Sequence, residues 1–161
     1  MEPGTHRGPP AGRDIRQEHT AGVRVERTVE IAAPPEAVWE VLGDVERWPT
    51  WTASMQSVRI LGGGPLGLGS VVEVKQPRLP KALWNVSEFT PGRSFSWTAS
   101  GPGVRSVGEH RVTPSGPGST VLLGFAQAGP LGALAGLLLG RLIRSYVDRE
   151  ATGLKTRCEA A

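Results

Sequence analysis

One residue, His110, has both the chemistry and the sequence position of a proton carrier. It is the only histidine after residue 19, and by strand alternation it shares a face with Gly108 and Val112. The reference pKa of imidazole lies close to neutral pH, so a histidine facing an apolar cavity could give and take protons there. A structural histidine, hydrogen-bonded to a neighbouring strand, is the other interpretation of the same pattern.

The sequence holds no second group that completes a familiar catalytic set. A nucleophilic serine would need an elbow such as G-x-S-x-G, and the sequence contains none. Histidine, cysteine and carboxylate residues form no cluster with metal-ligand spacing. We therefore predict no metal and no cofactor, and whether the protein is an enzyme stays open at this level.

Aromatic residues indicate a different capacity, the binding of apolar molecules. Trp84 and Trp97 fall on predicted central strands, where flat rings offer a large contact area at a low entropic cost. Alternation also gives each of these strands one apolar face, which should look inward. The predicted ligand-binding residues are Trp84, Phe95, Trp97, Val112, Leu123, Phe125, Leu138, Leu142 and Tyr146. His110 is the candidate catalytic residue.

Composition limits the protein to a few classes. A chain of 161 residues suits one domain, and its formal net charge of +3 comes from scattered arginines, so we expect no nucleic-acid partner. The single cysteine, Cys158, excludes an intrachain disulfide and fits the cytoplasm. No apolar run reaches the roughly 20 residues of a transmembrane helix. Residues 1–21 are rich in proline, glycine and charge, which predicts a disordered tail before a domain over residues 22–161.

The elements that would position these side chains follow from periodicity and turn residues. Polar and apolar residues alternate from residue 23 to residue 31, which predicts a half-buried strand. Pro34 and Pro35 then open a helix that Gly43 ends. From residue 56 onward, glycine- and proline-rich turns delimit about six strands without intervening helices, which indicates antiparallel connections. A long helix is predicted from Leu131 to Glu159.

Three glycines lie four residues apart in the first half of this last helix. Gly132, Gly136 and Gly140 share one helical face, which allows a neighbouring backbone or a flat ligand to come close. Tight packing is one interpretation of the stripe. The other is a mobile gate, because each internal glycine costs about 1 kcal/mol of helix stability relative to alanine.

Two short motifs carry a resemblance to a known family. Ala37-Val38-Trp39 lies on the first helix and Trp48-Pro49-Thr50-Trp51 on the turn after it. This order of strand, helix and turn resembles the START-like (SRPBCC) superfamily, and within it the polyketide cyclase/dehydrase and lipid-transport proteins, over residues 23–157. The resemblance implies an α+β helix-grip fold: a curved antiparallel β-sheet wrapped around a long C-terminal α-helix, with two short helices after the first strand.

The resemblance also implies a cavity between sheet and helix, and hence two functions. The favoured one is binding of a hydrophobic small molecule, such as a lipid or a polyketide-like compound. The alternative is a polyketide aromatase/cyclase or dehydratase in which the same cavity orients a reactive chain and His110 moves protons. A protein-interaction module that uses the apolar half of the last helix is a third possibility, and the sequence gives no basis for an oligomeric state.

Overall fold

Seven antiparallel strands, two short helices and a long C-terminal helix make up the part of the chain that the computed structural model describes, residues 22–160. The predicted tail, residues 1–21, lies outside the described residues and stays a prediction. The elements in chain order are β1 (Arg24–Ile31), α1 (Pro35–Gly43), a 3-10 helix (Val45–Thr50), β2 (Ser57–Ile60), β3 (Val71–Lys75), β4 (Ala82–Thr90), β5 (Ser94–Gly101), β6 (Val104–Ser115), β7 (Gly118–Ala128) and α2 (Gly132–Glu159).

The sheet has the strand order β1-β7-β6-β5-β4-β3-β2, so every strand from β2 to β7 pairs with its neighbour in sequence. The one distant pairing is that of β1 with β7, in which Arg24 lies opposite Ala126 and Ile31 opposite Ser119. Helix α2 packs on β1 and β7 and against α1. The six predicted later strands, the two short helices and the helix-grip architecture are confirmed.

The Trp-x-x-Trp turn belongs to the 3-10 helix and is anchored by a buried tryptophan. Trp48 is 1% exposed, and its indole N–H donates a hydrogen bond to the backbone carbonyl of Leu42 at 3.0 Å. That bond satisfies a carbonyl at the end of α1 that has no partner within the helix. The Trp48 ring thereby closes the corner between α1 and the 3-10 helix and faces the sheet.

The inner face of the sheet follows the predicted alternation. Phe95 and Trp97 are buried on β5, while His110 and Val112 are buried on β6. Gly108 lies opposite Trp97 in the register of these strands. A Cβ atom at Gly108 would stand 2.5 Å from Trp97 Nε1, so this strand position must lack a side chain for the indole to lie flat on the sheet.

Helix α2 has two halves of different character. In its second half Ile143, Val147 and Leu154 are buried against the sheet. In its first half Leu134 and Leu137 are exposed. Within residues 22–160 no helix is both long enough and apolar enough to cross a bilayer.

The glycines of α2 differ in what surrounds them. A Cβ atom at Gly136 would lie 2.0 Å from Val23 Cγ2, and one at Gly132 would meet the backbone of Gln127 at 3.6 Å. A Cβ atom at Gly140 would meet nothing within 4 Å. Close packing therefore accounts for Gly136 and not for Gly140.

These surroundings predict opposite effects for two alanine substitutions on one helix. Gly140→Ala should raise the free energy of unfolding by about 1 kcal/mol, because alanine favours the helix and the space is open. Gly136→Ala should gain nothing or lose about 1 kcal/mol or more, because Val23 must move. Urea denaturation of both variants checks this, and an equal gain in both would contradict the packing assigned to Gly136.

Candidate ligand-binding site

A cavity of about 290 Å³ lies against the inner face of the sheet, with α2 as its cover. Its volume is at the lower end of the range for small-molecule sites, so it suits a compact ligand. Most of its walls are apolar or aromatic, with a few polar groups between them. The lining residues are Trp48, Met55, Val74, Gln76, Leu79, Pro80, Ala82, Trp84, Trp97, Ala99, Ser106, Gly108, His110, Leu123, Gly124, Phe125, Gln127, Leu139, Ile143, Tyr146, Val147 and Glu150.

Four aromatic rings support one another along one wall. Trp97 lies between two other indoles, with ring centroids 5.5 Å from Trp48 and 5.6 Å from Trp84. Trp84 also meets Phe125 at 6.5 Å in an edge-to-face arrangement. Rings held in this way present a rigid apolar surface, which loses little conformational entropy when a ligand binds.

His110 is enclosed by aromatic rings and is neutral. It stacks on Phe95 with centroids 4.2 Å apart, and Trp48 and Trp97 each approach it at 5.3 Å. Its Nδ1 lies 3.4 Å from the Phe95 carbonyl oxygen, which can only accept, so Nδ1 carries the proton. Burial lowers the pKa of His110 to about 3, and the bond to Phe95 offsets only part of this effect. The expectation that this residue titrates near neutral pH is therefore wrong, because desolvation disfavours the imidazolium.

Glu150 is a buried carboxyl group that faces the same cavity from α2. Burial raises its pKa to about 8, against a smaller opposing effect of a hydrogen bond from Ser54. The Ser54 hydroxyl donates to Glu150 Oε1 at 3.4 Å, and it lies 2.8 Å from the Thr52 hydroxyl. At neutral pH Glu150 is therefore protonated and can donate a hydrogen bond or a proton.

A second polar pair lies on adjacent strands at another part of the wall. Ser106 of β6 and Gln127 of β7 are partners in the strand register. Gln127 Nε2 donates to Ser106 Oγ at 3.2 Å. The other atom of the amide, Gln127 Oε1, is buried and accepts no hydrogen bond from the described residues.

The predicted site residues other than Leu138 and Leu142 divide into two groups. The cavity is lined by six of the predicted residues: Trp84, Trp97, His110, Leu123, Phe125 and Tyr146. Phe95 and Val112 are buried but do not line it. Phe95 lies behind the ring of His110, and this stack shields it from the cavity.

Two predicted helix residues need correction. Leu138 is 75% exposed, and Leu142 is only partly buried; neither lines the cavity. The inward stripe of α2 passes instead through Leu139, Ile143 and Glu150. A step of one residue turns a side chain by about 100° around a helix, so Leu138 points away although its neighbour points in.

The cavity residues that sequence reasoning missed include Trp48, Ser106, Gln127 and Glu150. A signal was present for two of them. Glu150 lies seven residues after Ile143, which keeps it on one helical face. Gln127 continues the alternation of Leu123 and Phe125. Their polarity hid them, because such residues are usually exposed.

The fold and the cavity together define a START-type helix-grip protein with a hydrophobic ligand-binding site. Residues 22–159 match the family described as polyketide cyclase/dehydrase and lipid transport. The chain belongs to this family. A search of curated proteins found no match.

Solved structures with the same fold differ widely in sequence. A hypothetical protein from Helicobacter pylori has a TM-score of 0.77 at 12% identity, covering 98% of this chain and 99% of its own. The Zhui aromatase/cyclase from Streptomyces sp. R1128 has a TM-score of 0.63 at 23% identity, with 85% and 93% covered. A START superfamily protein from Mycobacterium smegmatis has a TM-score of 0.66 at 19% identity, with 85% and 97% covered. At these identities the similarity shows the fold alone.

Glu150 should make the folded protein less stable as the solution becomes alkaline. Its pKa is about 8 when folded and 4.5 in the free side chain, so between these values only the folded state holds the proton. The free energy of unfolding therefore falls as pH rises towards 8. His110, with a pKa of about 3 when folded and 6.5 when free, adds a small opposing slope that fades above pH 6.5, because the free imidazole is then losing its last protons. From pH 6.5 to 8 we expect a loss of about 1 to 2 kcal/mol, measured by urea unfolding.

Glu150→Gln should remove this slope, because glutamine keeps the shape and does not ionise. Glu159→Gln, on the same helix, is the matched control. The pKa of this exposed carboxyl lies below its usual value, because hydrogen bonds from the Ala32 backbone and the Lys155 ammonium outweigh the effect of desolvation. The control should keep the slope of the wild type. Equal slopes in the wild type and Glu150→Gln would contradict the protonated state of Glu150.

Proposed function

We propose that the protein binds a hydrophobic small molecule, a lipid or a polyketide-like compound, in the cavity beneath α2. The observation that carries this proposal is the wall of packed rings around Trp84 and Trp97, which offers a rigid apolar surface to a ligand. Transfer of an apolar ligand from water to such a wall is favourable by about 25 cal/mol for each Å² buried. A carrier needs no further chemistry.

A lone cysteine that is buried and unpaired supports a reducing compartment as the place of action. We propose the cytoplasm. We propose a hydrophobic small molecule as the protein's partner. A nucleic-acid partner is not proposed, because the positively charged residues are scattered along the sequence.

A second candidate, a polyketide aromatase/cyclase or dehydratase, is favoured by one observation. Two buried ionisable groups, Glu150 and His110, line the same cavity, and both are neutral at pH 7. The protonated carboxyl of Glu150 can donate a proton to a substrate oxygen as charge develops there. His110, with Nδ1 bound to the Phe95 carbonyl, keeps Nε2 as an acceptor. In this candidate, His110 positions the substrate by accepting a hydrogen bond at Nε2, and Glu150 donates the proton.

Ligand binding is tested by titration with uncharged sterols, fatty alcohols and fused-ring aromatics, followed by tryptophan fluorescence. Trp84→Leu should weaken the binding of aromatic ligands about tenfold, because a rigid ring surface is lost. Trp39→Leu is the matched control, since Trp39 packs on Phe89 with centroids 5.9 Å apart and does not line the cavity. If no compound in the panel shows saturable binding, the proposed function is wrong.

The enzyme candidate is tested with linear poly-β-keto substrates, whose cyclised products are read by mass spectrometry and absorbance. A cyclase should lose about a hundredfold in turnover in Glu150→Gln while substrate affinity stays within a few fold. His110→Ala should also lower turnover, since Nε2 no longer positions the substrate. A carrier should show no product above the uncatalysed rate with any variant, and turnover that survives Glu150→Gln would remove Glu150 as the proton donor.

A further inference from the structure

Gln127 brings an unmet hydrogen-bond acceptor to the cavity. Its side chain follows Leu123 and Phe125 on the inner face of β7. In the bond to Ser106 the amide donates through Nε2, and this orientation leaves Oε1 free. No described residue donates to this buried oxygen. A buried carbonyl oxygen without a donor is unfavourable, so the site favours a ligand that supplies one.

The cavity carries no positive charge that would match an anion. Among the described residues that line it, none is lysine or arginine. Lys75 follows the lining residue Val74 on β3, but its ammonium group donates to the backbone carbonyls of Gln76 and Leu79. A carboxylate head group placed here would lose its hydration without gaining a counter-charge.

We propose that the preferred ligand is an uncharged ring compound whose hydroxyl group donates a hydrogen bond to Gln127 Oε1. This identification rests on the proposed function, because it concerns the ligand of the same cavity. The ring lies against Trp84 and Trp97, and Ser106 holds the amide so that its oxygen faces the hydroxyl. Fatty-acid carboxylates are then poor ligands, whereas phenols and neutral ring alcohols are good ones.

Four probes with one ring system separate charge from hydrogen bonding: naphthalene, 2-naphthol, 2-methoxynaphthalene and 2-naphthoate. Their dissociation constants for the full chain are measured by isothermal titration calorimetry at pH 7. We expect 2-naphthol to bind about tenfold more tightly than 2-methoxynaphthalene, which can accept but cannot donate. We expect 2-naphthoate to bind at least tenfold more weakly than 2-naphthol.

Two variants locate the hydrogen bond. Gln127→Leu should bring the affinity for 2-naphthol down to that for 2-methoxynaphthalene, while the ether itself stays within about threefold. Gln56→Leu is the matched control, because it removes the same amide at an exposed position that does not line the cavity. It should leave the preference for 2-naphthol unchanged. Circular dichroism checks that each variant is folded. If Gln127→Leu is not, Gln127→Met takes its place, because methionine keeps the length of the side chain and lacks the amide oxygen. A variant is needed, since Nε2 of His110 is a second acceptor in the cavity and the wild type alone does not locate the bond.

The outcomes distinguish the two levels of the proposal. If the methyl ether binds the wild type as tightly as 2-naphthol, Gln127 does not accept a hydrogen bond from the ligand. If 2-naphthoate binds as tightly as 2-naphthol, the ligand need not be uncharged. Either result overturns this inference and leaves the proposed function in place. If none of the four probes and no member of the wider panel shows saturable binding, both this inference and the proposed function are wrong.

Discussion

The burial of the Trp48 ring is the interaction on which the rest of the structure depends. The indole is almost fully enclosed and is tied by its N–H to the carbonyl of Leu42, so its position is set by the end of α1. Its ring then meets Trp97 on β5 and His110 on β6. One side chain thus fixes the corner helices to the centre of the sheet and forms part of the cavity wall.

The cavity contains ionisable groups and yet behaves as an apolar space. Burial holds both His110 and Glu150 in their uncharged forms, each with one hydrogen bond to the surrounding protein. Such groups can donate and accept hydrogen bonds without the cost of desolvating a charge. The same cavity can therefore serve a carrier or an acid catalyst, and the two functions differ mainly in the reactivity of the ligand.

Much of the fold could be predicted from the sequence, because local signals agree there. Pro35 opens α1 as its fixed φ suggests, and the turn glycines and prolines delimit the strands. The rotation of α2 could not be predicted, since its first half is apolar on all sides and offers no preferred face. Only contact with the sheet selects Leu139 over Leu138.

The protonation states of the buried groups in the site also could not be predicted from the sequence. The pKa of His110 depends on the three rings packed around it, which come from the 3-10 helix and β5. From the sequence, Glu150 looks like an ordinary charged residue on a helix surface. The structure shows that it faces the cavity and accepts a hydrogen bond from Ser54. Depth of burial depends on tertiary packing. A periodic pattern can therefore predict which way a side chain points, but not the polarity of its surroundings or its pKa.

The pairing of β1 with β7 has a consequence for how the chain folds. Strands β2 to β7 form a meander of neighbouring strands, so their contacts need only short loops to close. β1 precedes the other described strands but pairs with the last of them, so that Arg24 lies opposite Ala126, about a hundred residues later in the sequence. Contacts of such long sequence separation slow folding. During synthesis the apolar face of β1 therefore stays unpaired until β7 has been made, and the β1–β7 pair forms late in folding.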